Sequence, residues 1–252
     1  MNINNLLLEL FVEELPPKAL KKLGEAFAAS IADSLRTQGL APADAAALSF
    51  ASPRRLAVHV AGVAAQAADK PVSHKLMPVS VGLDAKGQAT PALLKRLAAL
   101  GLDESVVPGL NRAGEGKSEA LFFDSVAKGA TLAEGLQKAL DEALTKLPIP
   151  KVMTYQLADG WSTVNFVRPV HGLAALHGSE IVPLSALGLN AGRTTQGHRF
   201  EAAVNPVQIR DADSYAVQME NEGAVIASFE KRRADIVRQL HDAAAKIGGG
   251  VQ

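Results

Sequence analysis

The sequence has no cysteine, few aromatic residues, no excess of either charge and no long apolar run. Without cysteine there are neither disulfides nor thiolate metal sites, which fits a reducing compartment. Lys and Arg number 26, as do Asp and Glu, so the formal net charge is zero. A domain that grips nucleic acid mainly through phosphates usually carries a basic excess or a basic face. If RNA is a partner, most of the affinity is therefore expected elsewhere. Aromatics make up only 4%, and the apolar content is chiefly Ala, Leu and Val, a composition suited to closely packed helices. The apolar run Leu6 to Val12 is broken by Glu9 and closed by Glu13 and Glu14. It lacks the basic n-region and small-residue cleavage site of a signal peptide. No stretch reaches the roughly 20 apolar residues that span a bilayer. The expectation is a soluble, cytoplasmic protein with no membrane partner.

What is present is 252 residues, 48% hydrophobic and 21% charged, enough for one large domain or two small ones. Residues 4–12 read as a strand that Pro16 and Pro17 terminate. A helix over 17–38 follows, with Leu20, Leu23, Phe27, Ile31 and Leu35 on one stripe and Gly39 as its stop. Strands are expected at 48–52 and 55–65, joined at Ser52-Pro53, because Leu56, Val58 and Val60 alternate with Ala57 and His59. Thr90-Pro91 opens a helix, and 108–127 read as a hairpin turning at 114–117. Thr131 and Glu134 form a capping box for a helix that Pro148 and Pro150 close. The hairpin around His177-Gly178-Ser179 is followed by a strand near 193–199, a short helix over 211–221 and a strand at 223–227. Ser228 caps a long final helix, and the chain stops at IGGGVQ directly after it, as in a truncated product.

This order lacks a regular βαβ alternation, so the expected class is α+β, with mainly antiparallel sheets and packed helices, ending in a long connector helix. The expected modules are 1–67 (α+β), 68–147 (α+β, readable as an insertion), 148–227 (β-rich) and 228–252, the connector leading to a missing C-terminal part. Gly116-Lys117-Ser118 invites a phosphate-loop reading, but the loop's first glycine should stand where Asn111 does, and a strand rather than a helix follows. His171, His177 and His198 have no helical i, i+4 pairing and no cysteine partners, so no metal is expected. Ser162 and Ser179 lack a nucleophile-elbow context. No catalytic residue is assigned.

Four strings read together carry a resemblance: LLLELFVEELPPKAL (6–20), FASPRRLAVHV (50–60), KLPIPKVMTY with FVRPVHGLAALHG (146–155 and 166–178), and TTQGHRF (194–200). In this order they resemble the β subunit of bacterial heterotetrameric (α2β2) glycyl-tRNA synthetase, as do VIASFEKRRADIV and AAKIGG near the end. Two departures are the GEGKSEALFF stretch and Met153-Thr154-Tyr155 after KLPIPK.

The resemblance implies an N-terminal part of a subunit that supports ATP-dependent attachment of glycine to tRNA(Gly). Catalysis would lie on the α subunit. The partners implied are that α subunit and tRNA(Gly), with no DNA. No cofactor is implied for this chain; ATP and Mg²⁺ would be used by the holoenzyme through the α subunit. A stand-alone RNA-binding or scaffold protein is the alternative. Candidate contacts to tRNA or subunit are Arg168 and His171 of FVRPVH, His198 and Arg199 of GHRF, Arg54 and Arg55 of SPRRL, and Glu13 and Glu14 of EELPP. The two Arg-His pairs, placed on neighbouring strands, could form a positive patch for phosphates, or each Arg could clamp loop carbonyls. Of Arg54 and Arg55, at most one can pack inward against an acid.

Overall fold

A computed structural model describes residues 2–84, 86–114 and 119–249. The chain divides into two compact units, one formed by residues 1–67 with 130–252 and the other by residues 68–129. Both are α+β, and every pair of named strands is antiparallel.

The larger unit begins with strand β1 (Ile3–Val12), helix α1 (Pro17–Gln38), and strands β2 (Ala47–Ser52) and β3 (Arg55–Ala64). Pro17 sits in the first turn of α1, where its missing N–H costs nothing. Gly39 closes the helix in the left-handed conformation (φ 77°). The smaller unit holds β4 (Lys70–Pro78), the short α2 (Val79–Gly82), α3 (Pro91–Ala98), a 3-10 turn (Glu104–Gly109), β5 (Asn111–Ala113) and β6 (Ala120–Ala127). Its sheet has the order β4-β6-β5, and Leu76, Leu93, Leu97 and Leu121 form its core. The 66–90 stretch, left without elements in the sequence reading, thus supplies β4 and α2. The turn expected at 114–117, with Lys117, lies almost wholly outside the described residues.

The chain returns to the larger unit with α4 (Leu132–Lys146), whose capping box between Thr131 and Glu134 forms as expected. The sequence reading carried the second module through this helix, to 147. In the structure α4 packs on α1, with Leu136, Ala139, Leu140 and Ala143 in the same core as Phe27, Ile31 and Leu35. Then come β7 (Met153–Gln156), β8 (Thr163–Phe166), β9 (Val170–His177), β10 (Glu180–Ile181), β11 (Ser185–Ala186), β12 (Leu189–Asn190), β13 (Thr194–Thr195) and β14 (Val207–Gln208). Helices α5 (Tyr215–Asn221) and α6 (Phe229–Lys246) complete the order.

The main sheet runs β10-β9-β1-β3-β2, and its centre is β1. Side chains alternate across a strand, so β1 faces two cores at once. Leu6, Leu8, Leu10 and Val12 enter the core made with α1 and α4. Leu7 enters a second core with Ala57, Ala174, Leu176, Val207, Ile209 and Tyr215. That second face is covered mainly by the segment from β14 through α5.

Two expected strands are corrected. The strand near 193–199 reduces to Thr194–Thr195, paired with β14. Residues 223–227 are not a strand. There Ala224 has a positive φ of 53°, and Val225 N–H is bonded back to the Met219 carbonyl, a turn-like arrangement that no sheet edge shares.

Helix α6 starts firmly and ends exposed. Ser228 accepts a hydrogen bond from Lys231 N–H, Glu230 supplies an acid in the first turn, and Arg232 donates to the Ala51 carbonyl at 2.8 Å. These contacts offset the unfavourable placement of Lys231, Arg232 and Arg233 near a helix N-terminus. None of the helix's described residues is buried, and Ile236, Val237, Leu240 and Ile247 are exposed. Most helical stability in proteins comes from packing of one face, which this helix lacks beyond its first turn. Amide hydrogen exchange in this chain should therefore be much faster over residues 236–247 than in α1 or α4. Equal protection in all three would show that α6 gains stability from a source outside these contacts.

Candidate functional site

The odd-numbered face of β1 carries an acid where the period-two pattern calls for an apolar side chain. Glu9 lies between Leu7 and Phe11 on that face and is 1% exposed. Burial of an unpaired carboxylate is costly, and three groups from separate segments answer it. Thr195 of β13 and Tyr215 of α5 each donate a hydroxyl hydrogen bond to it. Arg55, which opens β3 opposite Phe11, places its Nε 3.4 Å from Glu9 Oε2. That contact is an ion pair without an aligned N–H, since the Arg55 Nε has no hydrogen-bond acceptor. Arg55 also donates through its Nη atoms to the Gln196 carbonyl and, at 3.5 Å, to Ser52 Oγ. Burial, and next the Glu9 charge, hold the Tyr215 phenol well above its ordinary pKa.

Above this cluster opens a cavity of about 570 Å³. One side is the end of β1 with Phe11, Glu13 and Glu14; another is the β2–β3 turn, where Pro53 sets up the bend and presents Arg54 beside Arg55. The GHRF loop, Gly197 to Phe200, forms a third side, and residues 224–226 with Arg232 of α6 form the fourth. Arg54 and Arg55 both lie over the Phe11 ring, at 4.9 and 5.7 Å from its centroid. Arg54 also reaches Glu13 at 3.4 Å, and Glu13 takes a second contact from His171 Nε2 at 2.9 Å. Arg232 donates to the carbonyls of Ala51 and Ile226, both at 2.8 Å, and has no carboxylate partner among the described residues. Its guanidinium is lowered from the ordinary value, first by burial and then by the neighbouring Arg55 charge. Arg199 makes no hydrogen bond or ion pair among the described residues and is exposed. The lining thus sets four guanidinium groups against Glu13 and Glu14, with Glu9 beneath matched to Arg55, which leaves an excess of one positive charge.

The GHRF loop is rigidly held. A Cβ on Gly197 would stand 2.7 Å from the Gly223 carbonyl oxygen and 2.8 Å from its Cα. The glycine is demanded by this close approach, not by a bulge or a positive φ. Gly197 N–H donates to Asn205 Oδ1, and His198 N–H donates to the Gly223 carbonyl at 2.6 Å. His198 Nδ1 accepts from Phe200 N–H and Glu201 N–H, which assigns the ring proton to Nε2.

Of the eight candidate residues, Glu13, Glu14, Arg54, Arg55, His198 and Arg199 line this one cavity. Arg168 and His171 do not. Arg168, between β8 and β9, donates Nε to the Glu14 carbonyl at 3.0 Å and Nη1 to the Val167 carbonyl at 2.9 Å. The two Arg-His pairs are not on neighbouring strands as expected: only His171 is in a strand, β9, and His198 and Arg199 lie in the loop after β13. The sequence reading missed Glu9, Tyr215, Thr195 and Arg232. Glu9 alone carried a signal, as a single acid on the inward phase of an apolar strand. Elsewhere, His177 Nε2 donates to the Val63 carbonyl (2.8 Å) and His59 pairs with Asp213 (2.7 Å). Among the described residues no three His, Cys, Asp or Glu side chains are grouped to hold a metal, and no helix is long and apolar enough to cross a membrane.

The fold and site define a mixed α+β scaffold with an anion-attracting cavity. Comparison with known proteins is specific. The family "Glycyl-tRNA synthetase beta subunit" matches residues 6–252. The chain is 72% identical over 248 residues to the glycine–tRNA ligase β subunit of Leptothrix cholodnii, covering 98% of this chain and 35% of that protein. It is 68% identical over 252 residues to that of Dechloromonas aromatica and 69% over 248 to that of Thiobacillus denitrificans, with the same coverage. The chain belongs to the glycyl-tRNA synthetase β subunit family. It spans about a third of the length of these relatives, matching their N-terminal part.

The buried cluster yields a prediction. Tyr215→Phe should cost about 1–3 kcal/mol by leaving a buried Glu9 oxygen short of a donor. A group whose folded pKa is raised contributes its stability fully below the unfolded value, near 10 for tyrosine, and loses it as pH rises through the folded value. The stability gap between wild type and Tyr215→Phe should therefore narrow in chemical denaturation as pH climbs above about 10. A gap constant with pH would mean that the phenol is not held protonated by burial and Glu9.

Proposed function

We propose that this chain is the N-terminal part of a subunit that supports ATP-dependent attachment of glycine to tRNA(Gly), with the chemistry, ATP and Mg²⁺ on the α subunit. In this reading the cavity beside Arg199 contacts tRNA. The supporting observation is Arg199 itself: an exposed guanidinium without a partner among the described residues, on a hydrogen-bonded loop, in a chain whose relatives are named as tRNA ligase subunits. Guanidinium groups are well matched to phosphate oxygens. Arg168 has the opposite character. Its Nε and Nη1 donate to the Glu14 and Val167 carbonyls, so it clamps the β8–β9 connection to the end of β1.

In the α2β2 enzyme containing the full-length subunit, Arg199→Ala should weaken tRNA(Gly) binding several-fold. It should reduce the slope of log affinity against log salt by about 1, with the melting temperature unchanged. Glycine-dependent ATP–pyrophosphate exchange should be unaffected. Arg168→Ala should instead cost about 1–2 kcal/mol of stability and leave the salt slope alone. An Arg199→Ala enzyme with wild-type affinity and slope would remove the RNA contact from this cavity.

A further inference from the structure

Resting on the reading that this cavity faces tRNA, we propose that it receives a single unpaired nucleotide of that RNA. The phosphate sits at Arg199, and the base lies against Phe200. Four observations lead there. The cavity, at about 570 Å³, falls in the range that encloses a small ligand and is large enough for one nucleotide. Its charge is unbalanced in favour of cations: among the described residues Arg199 has no partner and Arg232 no carboxylate, against the one free carboxylate of Glu14, and Arg55 stands close enough to Arg232 to depress it. An anion is the natural counterpart.

The third observation is Phe200. It is 82% exposed at the rim of the cavity, with the His198 ring 6.3 Å away in an edge-on arrangement. No core uses this ring. An exposed aromatic beside guanidinium groups is the combination on which unpaired bases stack. An acidic peptide would satisfy the arginines but leave the ring without a role. The fourth is preorganisation. Gly197 is wedged against Gly223, and His198 caps the turn through Nδ1, so Phe200 is displayed without loop ordering on binding. His198 Nε2–H and the Glu14 carboxylate, which has no hydrogen bond among the described residues, add a donor and an acceptor for a base edge or a 2′-hydroxyl. Glu13 and Glu14 disfavour a continuous duplex backbone across the opening, because they would meet its phosphates.

The test uses the α2β2 enzyme with full-length subunit and a tRNA(Gly) transcript. Phe200→Ala should lower tRNA affinity about tenfold, with an unchanged melting temperature and, because stacking releases no counterions, an unchanged salt slope. Phe200→Tyr should retain near-wild-type affinity. A photoreactive benzoylphenylalanine at position 200 should crosslink to one unpaired nucleotide. If Arg199→Ala lowers the salt slope while Phe200→Ala changes nothing, the RNA contact stands and the nucleotide pocket is wrong. A crosslink to paired nucleotides or to protein would likewise overturn the pocket. If neither substitution alters tRNA binding, both the pocket and the functional reading beneath it fall.

Discussion

A carboxylate buried in the middle of a central strand forces the surrounding chain to bring it donors. Glu9 is on β1, the middle strand of the main sheet, and its side chain is 1% exposed. A lone buried carboxylate costs several kcal/mol, and pairing offsets this only when further hydrogen bonds satisfy the remaining lone pairs. Those bonds come from Thr195 and Tyr215, more than 180 residues away in sequence. The stretch from β13 to α5 has only two-residue strands of its own. Its position over the second sheet face is fixed by these donors together with Val207, Ile209 and Met219 in the second core.

The same pairing shapes the cavity. Arg55 is drawn down toward Glu9, so its charge is matched from beneath rather than from the pocket. Arg54, one residue earlier in a two-residue turn, is directed the other way and pairs with Glu13. Adjacent arginines thereby acquire different roles: one supports the floor, the other lines the wall. Arg232 then approaches Arg55 from α6, held by backbone carbonyls and by the Phe229 ring, 5.4 Å from its guanidinium. The result is a cationic wall built on a neutralised foundation. Removing Glu9 would change it as surely as removing an arginine at the mouth.

Local signals in the sequence were enough for much of the fold. The Thr131–Glu134 box, the Pro17 start and the Gly39 stop act within a few residues, and α1 and α4 form where those signals put them. The alternation in β3 likewise reports its own pairing. Long-range decisions were not legible. Whether 223–227 becomes a strand depends on a free sheet edge, and the backbone there turns back on α5 instead. The place of α4 was hidden for the same reason: its stripe of Leu136, Leu140 and Ala143 shows that it packs, not on what. Six of the eight candidate residues share one cavity because three motifs meet around the end of β1. Arg232 escaped because a basic residue in a first helical turn usually faces solvent, and only the Ala51 carbonyl reveals that this one does not.

Zero net charge and a cationic cavity are compatible, because composition averages over a surface while binding samples one face. Some of the charged side chains here are paired with neighbours along a helix, as with Arg238 between Asp235 and Asp242. Such pairs cancel at distances beyond a Debye length of about 8 Å. At the cavity, what a polyanion meets is Arg199 and Arg232, neither of which pairs with a carboxylate among the described residues. With each neutralised phosphate contributing about 0.9 to the salt slope, two uncompensated cations account for a slope of about 2 at most. Under the proposed reading this chain supplies shape and a stacking surface at one point of the RNA, and the bulk of the electrostatic affinity belongs to other parts of the assembly.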